Sequence, residues 1–194
     1  MEKSKIENLN QRLLCTKMIK AGFKNSVIEI GTGITNSMVR ALRTELGVKE
    51  YGDDKSNSGQ LRIASRIVDN RRRVVDAGII ISLYKKVAKD ASKSVDFDSL
   101  IETHKFYMET HEDIYGNLFN PIDINEAFVL VRDYRSRNGS IQVNTCQCGA
   151  DYIIVSNQRM AASCPLCSLE TKSLQLTSEE EEKIIEKDFK DRMA

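Results

Sequence analysis

The 194 residues contain no tryptophan, two prolines, two histidines and no apolar run approaching eighteen residues. Each scarcity excludes something. Without a long apolar run there is no candidate membrane-spanning helix. The opening stretch MEKSKIENLNQRLL is a charged helical pattern, not a charged start followed by an apolar signal segment, so the expected location is the cytoplasm. Catalytic zinc usually takes histidine among three protein ligands beside a nearby acid or base. His104 and His111 stand two turns apart on one face of a helical stretch, where a solvated or half-buried helix surface accounts for them. Nucleophile-elbow and P-loop motifs are also missing. The GTG at residues 31–33 lacks the further glycine and the preceding strand of a dinucleotide fingerprint, so no enzyme is expected.

Apolar residues at 41% and charged residues at 29% describe an ordinary globular chain with enough material for one core and a small appendage. The net charge of +1 is uninformative, but its distribution is not. Residues 1–24 carry six Lys or Arg against two Glu, and residues 40–73 carry nine against five acids, whereas residues 177–194 carry seven acids against four bases. A polyanion is therefore expected on the N-terminal half.

Four of the five cysteines fall within CQCGADYIIVSNQRMAASCPLC, from Cys146 to Cys167. In a reducing compartment such pairs are metal ligands or redox centres more often than disulfides. Cys146 and Cys148 form one turn, Cys164 and Cys167 another. SIQVN before the first turn and DYIIV after it read as strands. That layout is a zinc ribbon, with one structural Zn2+ held by Cys146, Cys148, Cys164 and Cys167. Gly149 suits a tight path after the first pair, and Pro165 fits inside the second. A redox dithiol at CPLC is a rival, although no βαβ pattern surrounds it. Four unrelated buried thiols is another. Cys15, with Leu14 and Met18 on a helical face, reads as a small core hydrophobe.

Upstream, residues 5–22 read as a helix with Ile6, Leu9, Leu13, Met18 and Ile19 at helical spacing and Gly22 as its stop. Val27, Ile28 and Ile30 mark a short helix broken by Gly31 and Gly33. A second follows, capped by Thr35 or Asn36, with Met38, Val39, Leu42 and Leu46 on its core face and Gly47 at its end. Two short helices around a glycine turn resemble a helix-turn-helix, whose second helix enters the major groove. Its polar face would present Thr35, Asn36, Ser37, Arg40 and Arg43 to bases and phosphates. A solvated arginine-bearing face is the plain alternative.

Residues 47–60 read as a polar loop. Residues 61–88 read as a long helix with Ile63, Ile67, Val74, Val75, Ile79, Ile80, Leu83 and Val87 buried. Arg71, Arg72 and Arg73 interrupt it, facing phosphates, a partner's carboxylates or water. Residues 95–110 and 121–138 give two more helices, the latter with AFVLV as core, and Gly139 closes the body. The tail, residues 177–194, reads as a helix that either frays or docks. The fold class is thus mainly α: a helical body with a helix-turn-helix-like unit over residues 1–139, a four-cysteine ribbon over 140–176, and an acidic tail over 177–194.

This series resembles the FlhC family of transcriptional activators, which includes the flagellar master-regulator subunit and relatives that activate conjugative-transfer genes. The resemblance runs from about residue 10 to about 176. It is clearest in INEAFVLVRDYRSRNGSIQVNTCQCGADYIIVSNQRMAASCPLC, with weaker correspondence at GITNSMVRALRTELG and SGQLR. It implies an activator that binds double-stranded promoter DNA, works in a hetero-oligomer with a small helical FlhD-like partner, recruits RNA polymerase, and holds zinc at the four cysteines. The C-x-C spacing of the first pair, the missing proline in SGQLR and the absent tryptophans set the chain apart from the flagellar proteins as a diverged relative. Two rival classes remain: a zinc-ribbon scaffold whose partner reads the DNA, and a thiol oxidoreductase.

Overall fold

The computed structural model describes residues 5–48, 60–91, 93–116, 118–136, 140–159 and 162–167. Most of the expected loop at 47–60, the closing Gly139 and the acidic tail lie outside them. Among the described residues, α1 (Lys5–Lys20), α2 (Asn25–Thr32), α3 (Asn36–Glu45), α4 (Ala64–Ile67), α5 (Arg71–Val87), α6 (Phe97–Tyr115) and α7 (Ile124–Arg135) precede a hairpin of β1 (Ile141–Thr145) and β2 (Asp151–Val155).

The core is built around α7. Ala127, Phe128, Val129, Leu130 and Val131 are all buried, so the AFVLV run is covered on every side by α4, α5, α6 and the hairpin. A helix apolar all round belongs in the middle of a fold. Its start is fixed by a capping box: the Asp123 carboxylate accepts from the Asn125 and Glu126 N–H groups, and the Glu126 carboxylate accepts from the Asp123 N–H. Glu126 also receives Arg62 at 3.0 Å and Arg73 at 2.9 Å.

The expected long helix over 61–88 is two helices. Asn70 adopts an extended conformation and its side chain accepts from the Arg73 N–H, which caps α5 and separates it from the single turn of α4. Arg71, Arg72 and Arg73 therefore open a helix instead of interrupting one. The break re-aims the faces: Ile67, Val74 and Ile80 are buried, while Ile63 and Val87, expected inside, are exposed.

Gly31 does not break α2, which runs on to Thr32 and stops at Gly33, in the left-handed conformation at φ 70°. The role of Gly31 is close approach. A Cβ there would lie 2.6 Å from a ring carbon of Phe97, which packs between Phe23 and Phe128 with centroids 5.9 and 5.7 Å away. Gly31→Ala is expected to destabilise the chain by about 1–3 kcal/mol through overpacking, despite alanine's better helix propensity. The midpoint of denaturant unfolding measures it.

Candidate metal centre and nucleic-acid surface

The hairpin is antiparallel, with Ile141 opposite Val155 and Thr145 opposite Asp151. Ile141, Ile153 and Val155 face inward and join the same core as the helices. The two strands are joined by the first knuckle. There the Cys146 N–H donates to the Ala150 carbonyl and the Gly149 N–H donates to the Cys146 carbonyl, both at 2.9 Å. Gly149 turns the chain at φ 85°, a conformation that favours glycine. This tight return lets a C-x-C spacing present both sulfurs to one side.

The second knuckle, Cys164 to Cys167, meets the first. All four sulfurs lie within 4.8 Å of one another, with Cys146 Sγ to Cys167 Sγ at 3.6 Å and Cys148 Sγ to Cys164 Sγ at 3.8 Å. A tetrahedral cation with sulfurs at about 2.3 Å separates its ligands by about 3.8 Å. A disulfide would place them at about 2.05 Å, and all five cysteines are free thiols. The donor set and its spacing thus fit a metal ion. Cys164 is buried and Cys148 exposed, so the cluster sits at the surface with one edge pressed into the protein. Leu166 and Pro165 border a groove of about 300 Å³ with Ile79 and Leu83 of α5, which ties the second knuckle to the body.

The thiols are not equivalent. The Cys148 backbone N–H, then the neighbouring thiols, stabilise the Cys146 thiolate and bring its pKa down to about 7. Cys167 is pushed up to about 12 by the hydrogen bonds it makes to the Cys148 and Cys146 sulfurs. A coordinated thiolate stays deprotonated, so a cation at the centre would override this inequality. Neither histidine joins the cluster. His104 meets the Ile122 carbonyl at 2.9 Å and burial lowers its pKa, while His111 is buried against Tyr107 and Tyr115. Cys15 is fully buried in the core, where desolvation raises its thiol pKa.

The residues expected to touch DNA are divided by the structure. Thr35, the N-cap of α3, together with Ser37 and Arg40, is exposed on one end of that helix, and Asn36 is half-buried beside them. Arg43 is not on this surface. It is 2% exposed, its Nε donates to the Asn25 side-chain oxygen at 2.9 Å, and its Nη2 donates to the Phe23 carbonyl. Arg43 therefore rivets α3 to the α1–α2 turn. Asn125 holds the same turn from the other side, accepting from the Lys24 N–H at 2.7 Å and donating to the Gly22 carbonyl at 3.2 Å. Of the arginine triplet, Arg71 is exposed. Arg72 stacks over the Phe119 ring at 4.5 Å and faces buried Asp76 at 3.8 Å, and Arg73 is paired with Glu126. Sequence reading missed Glu126. The only signal was its capping-box spacing from Asp123, which says nothing of distant arginines.

Among the described residues, seven helices and a hairpin bearing four convergent thiols define a mainly helical protein whose C-terminal cysteine cluster could hold a metal ion. No helix among the described residues is long and apolar enough to cross a membrane. A family model described as flagellar transcriptional activator (FlhC) matches residues 1–179, and the chain belongs to that family of transcription factors. No curated protein matches it.

Proposed function

We propose that the chain is the DNA-binding subunit of a transcription-activating complex, stabilised by one structural Zn2+ held by Cys146, Cys148, Cys164 and Cys167. The family match over residues 1–179 carries this reading. Zinc suits four thiolates at tetrahedral spacing, and bound there it supplies cross-linking, not chemistry on a substrate. The side chains do the rest. Thr35, Ser37 and Arg40 stand together at the N-terminal end of α3, the end a helix-turn-helix directs to the major groove. Asn36 lies beside them, and Arg71 is an exposed cation suited to a phosphate. In this reading a small helical FlhD-like partner completes the complex, which binds upstream of promoters and recruits RNA polymerase from the cytoplasm.

One observation favours a second reading, in which the partner reads DNA and this chain is a metal-stapled scaffold: Arg43, Arg72 and Arg73 are engaged inside the fold. Salt-titrated binding of the complex to promoter DNA separates the two. If α3 contacts phosphate through Arg40, Arg40→Ala should weaken binding across sequences and flatten the slope of log affinity against log salt by about 1. An unchanged slope in both Arg40→Ala and Arg71→Ala would assign DNA contact to the partner.

A further inference from the structure

The first turns of α1 carry an apolar seam on the side turned away from the core. Ile6, Leu9 and Leu13 are 73%, 66% and 56% exposed, whereas Cys15, Met18 and Ile19 of the same helix are buried. At about 100° per residue the exposed three fall within about 60° of one another, roughly opposite Met18. Scattered exposed leucines need no explanation, but a seam at i, i+3 and i+7 is a helix-docking pattern. Among the residues whose side chains are described, the ionisable positions on that half of α1 are all basic: Arg12, Lys17 and Lys20. Lys17 already pairs with Asp98 at 2.7 Å on the exposed surface, so this face does hold carboxylates.

The chain contains a segment of the complementary kind. Glu179, Glu180, Glu181 and Glu182 are followed by Ile185, Phe189 and Met193 at every fourth position. This segment lies almost wholly beyond residue 179, where the family match ends.

We propose that residues 179–193 dock as an amphipathic helix, antiparallel, on the α1 seam of their own chain. Ile185 covers Leu13, Phe189 covers Leu9 and Met193 covers Ile6, while the glutamate run lies beside Lys20 and Lys17. The two seams match in length, about 12 Å in the tail and about 10 Å on α1 at 1.5 Å per residue. Residues 168–178 can bridge up to about 36 Å when extended. A domain of this size has a radius of gyration of about 15 Å, so the bridge can span more than twice that radius.

Carbodiimide coupling of the full-length chain, read by peptide mass spectrometry, should join Lys17 or Lys20 to Glu179–Glu182 within the monomer. Hydrogen exchange at the Leu9–Leu13 amides should quicken about tenfold in Ile185→Asp/Phe189→Asp, with the melting temperature of the body unchanged. Both effects should shrink at high salt. Identical α1 exchange in the wild type and the variant would overturn the proposal. So would coupling confined to a dimer fraction, which assigns the seam to a second copy, or α1 protection that appears only when a partner protein is added.

Discussion

Cys164→Ser is expected to abolish metal binding and to have the largest effect of any single substitution in the chain. Serine keeps the size of the side chain, so the change isolates ligation from packing. Cys164 is the buried thiol of the four, 3.8 Å from Cys148 across the two knuckles, and the short segment after β2 has little apolar surface of its own to hold it in place. Metal binding in such a site is folding free energy. The hairpin also packs on the core through Ile141, Ile153 and Val155, so the helical body should survive while the knuckles open. A loss of at least about 3 kcal/mol corresponds to a fall of roughly 6–12 °C in Tm for a chain this size. Elemental analysis should drop from about one zinc per chain to none, and promoter activation should go with it. Cys15→Ser is the control, because that thiol lies in the core apart from the cluster; it should keep its zinc. Unchanged zinc content in Cys164→Ser would sink the ligand assignment.

The same site gives a pH dependence. Protons compete with the cation for every sulfur. The Cys146 thiol is brought down to about 7, and Cys167 is pushed up to about 12 by its hydrogen bonds to the Cys148 and Cys146 sulfurs. Zinc affinity should therefore rise with pH through the neutral range and fall steeply below about 7, with protons released on binding. A chelator competition at two pH values measures it; equal affinities would rule the thiolates out as ligands.

Arg43→Ala and Arg40→Ala, three residues apart on one helix, are expected to fail in opposite ways. Arg43→Ala should destabilise the protein by about 3 kcal/mol, because it strands the Asn25 side-chain oxygen and the Phe23 carbonyl inside the fold and leaves a void where the guanidinium was. Arg43→Lys should recover little, since an ammonium cannot reproduce the guanidinium's two-directional donation. Arg40→Ala should leave the unfolding midpoint within about 0.5 kcal/mol of wild type, as an exposed position does. Its deficit should appear only in promoter binding. A stable Arg43→Ala with weakened DNA binding would return Arg43 to the recognition surface.

Local patterns carried much of the fold. The spacing of Leu14, Cys15 and Met18, the glycines at 22 and 33, the Asp123–Glu126 capping box and the strand–turn–strand around Cys146 all depend on residues within a few positions of one another. Errors arose where a local pattern had two solutions. Residues 61–88 suit one helix as well as two, and the break came from Asn70 offering its side chain to the Arg73 N–H. α1 carries apolar residues on both sides, and no count of helical spacing says that Met18 faces the core while Leu9 faces outward.

By itself the sequence determined the helical class, the hairpin and the four-thiol donor set, because helix propensity, caps, turns and cysteine spacing act over short distances along the chain. Only the tertiary structure decided which charges are available to a partner. Arg43 is taken up by groups 18 and 20 residues away, and Arg73 by an acid 53 residues away. A cation's fate depends on whether a distant oxygen arrives to replace its water, and that distance is set by the packing of α5 and α7, not by the neighbours in sequence.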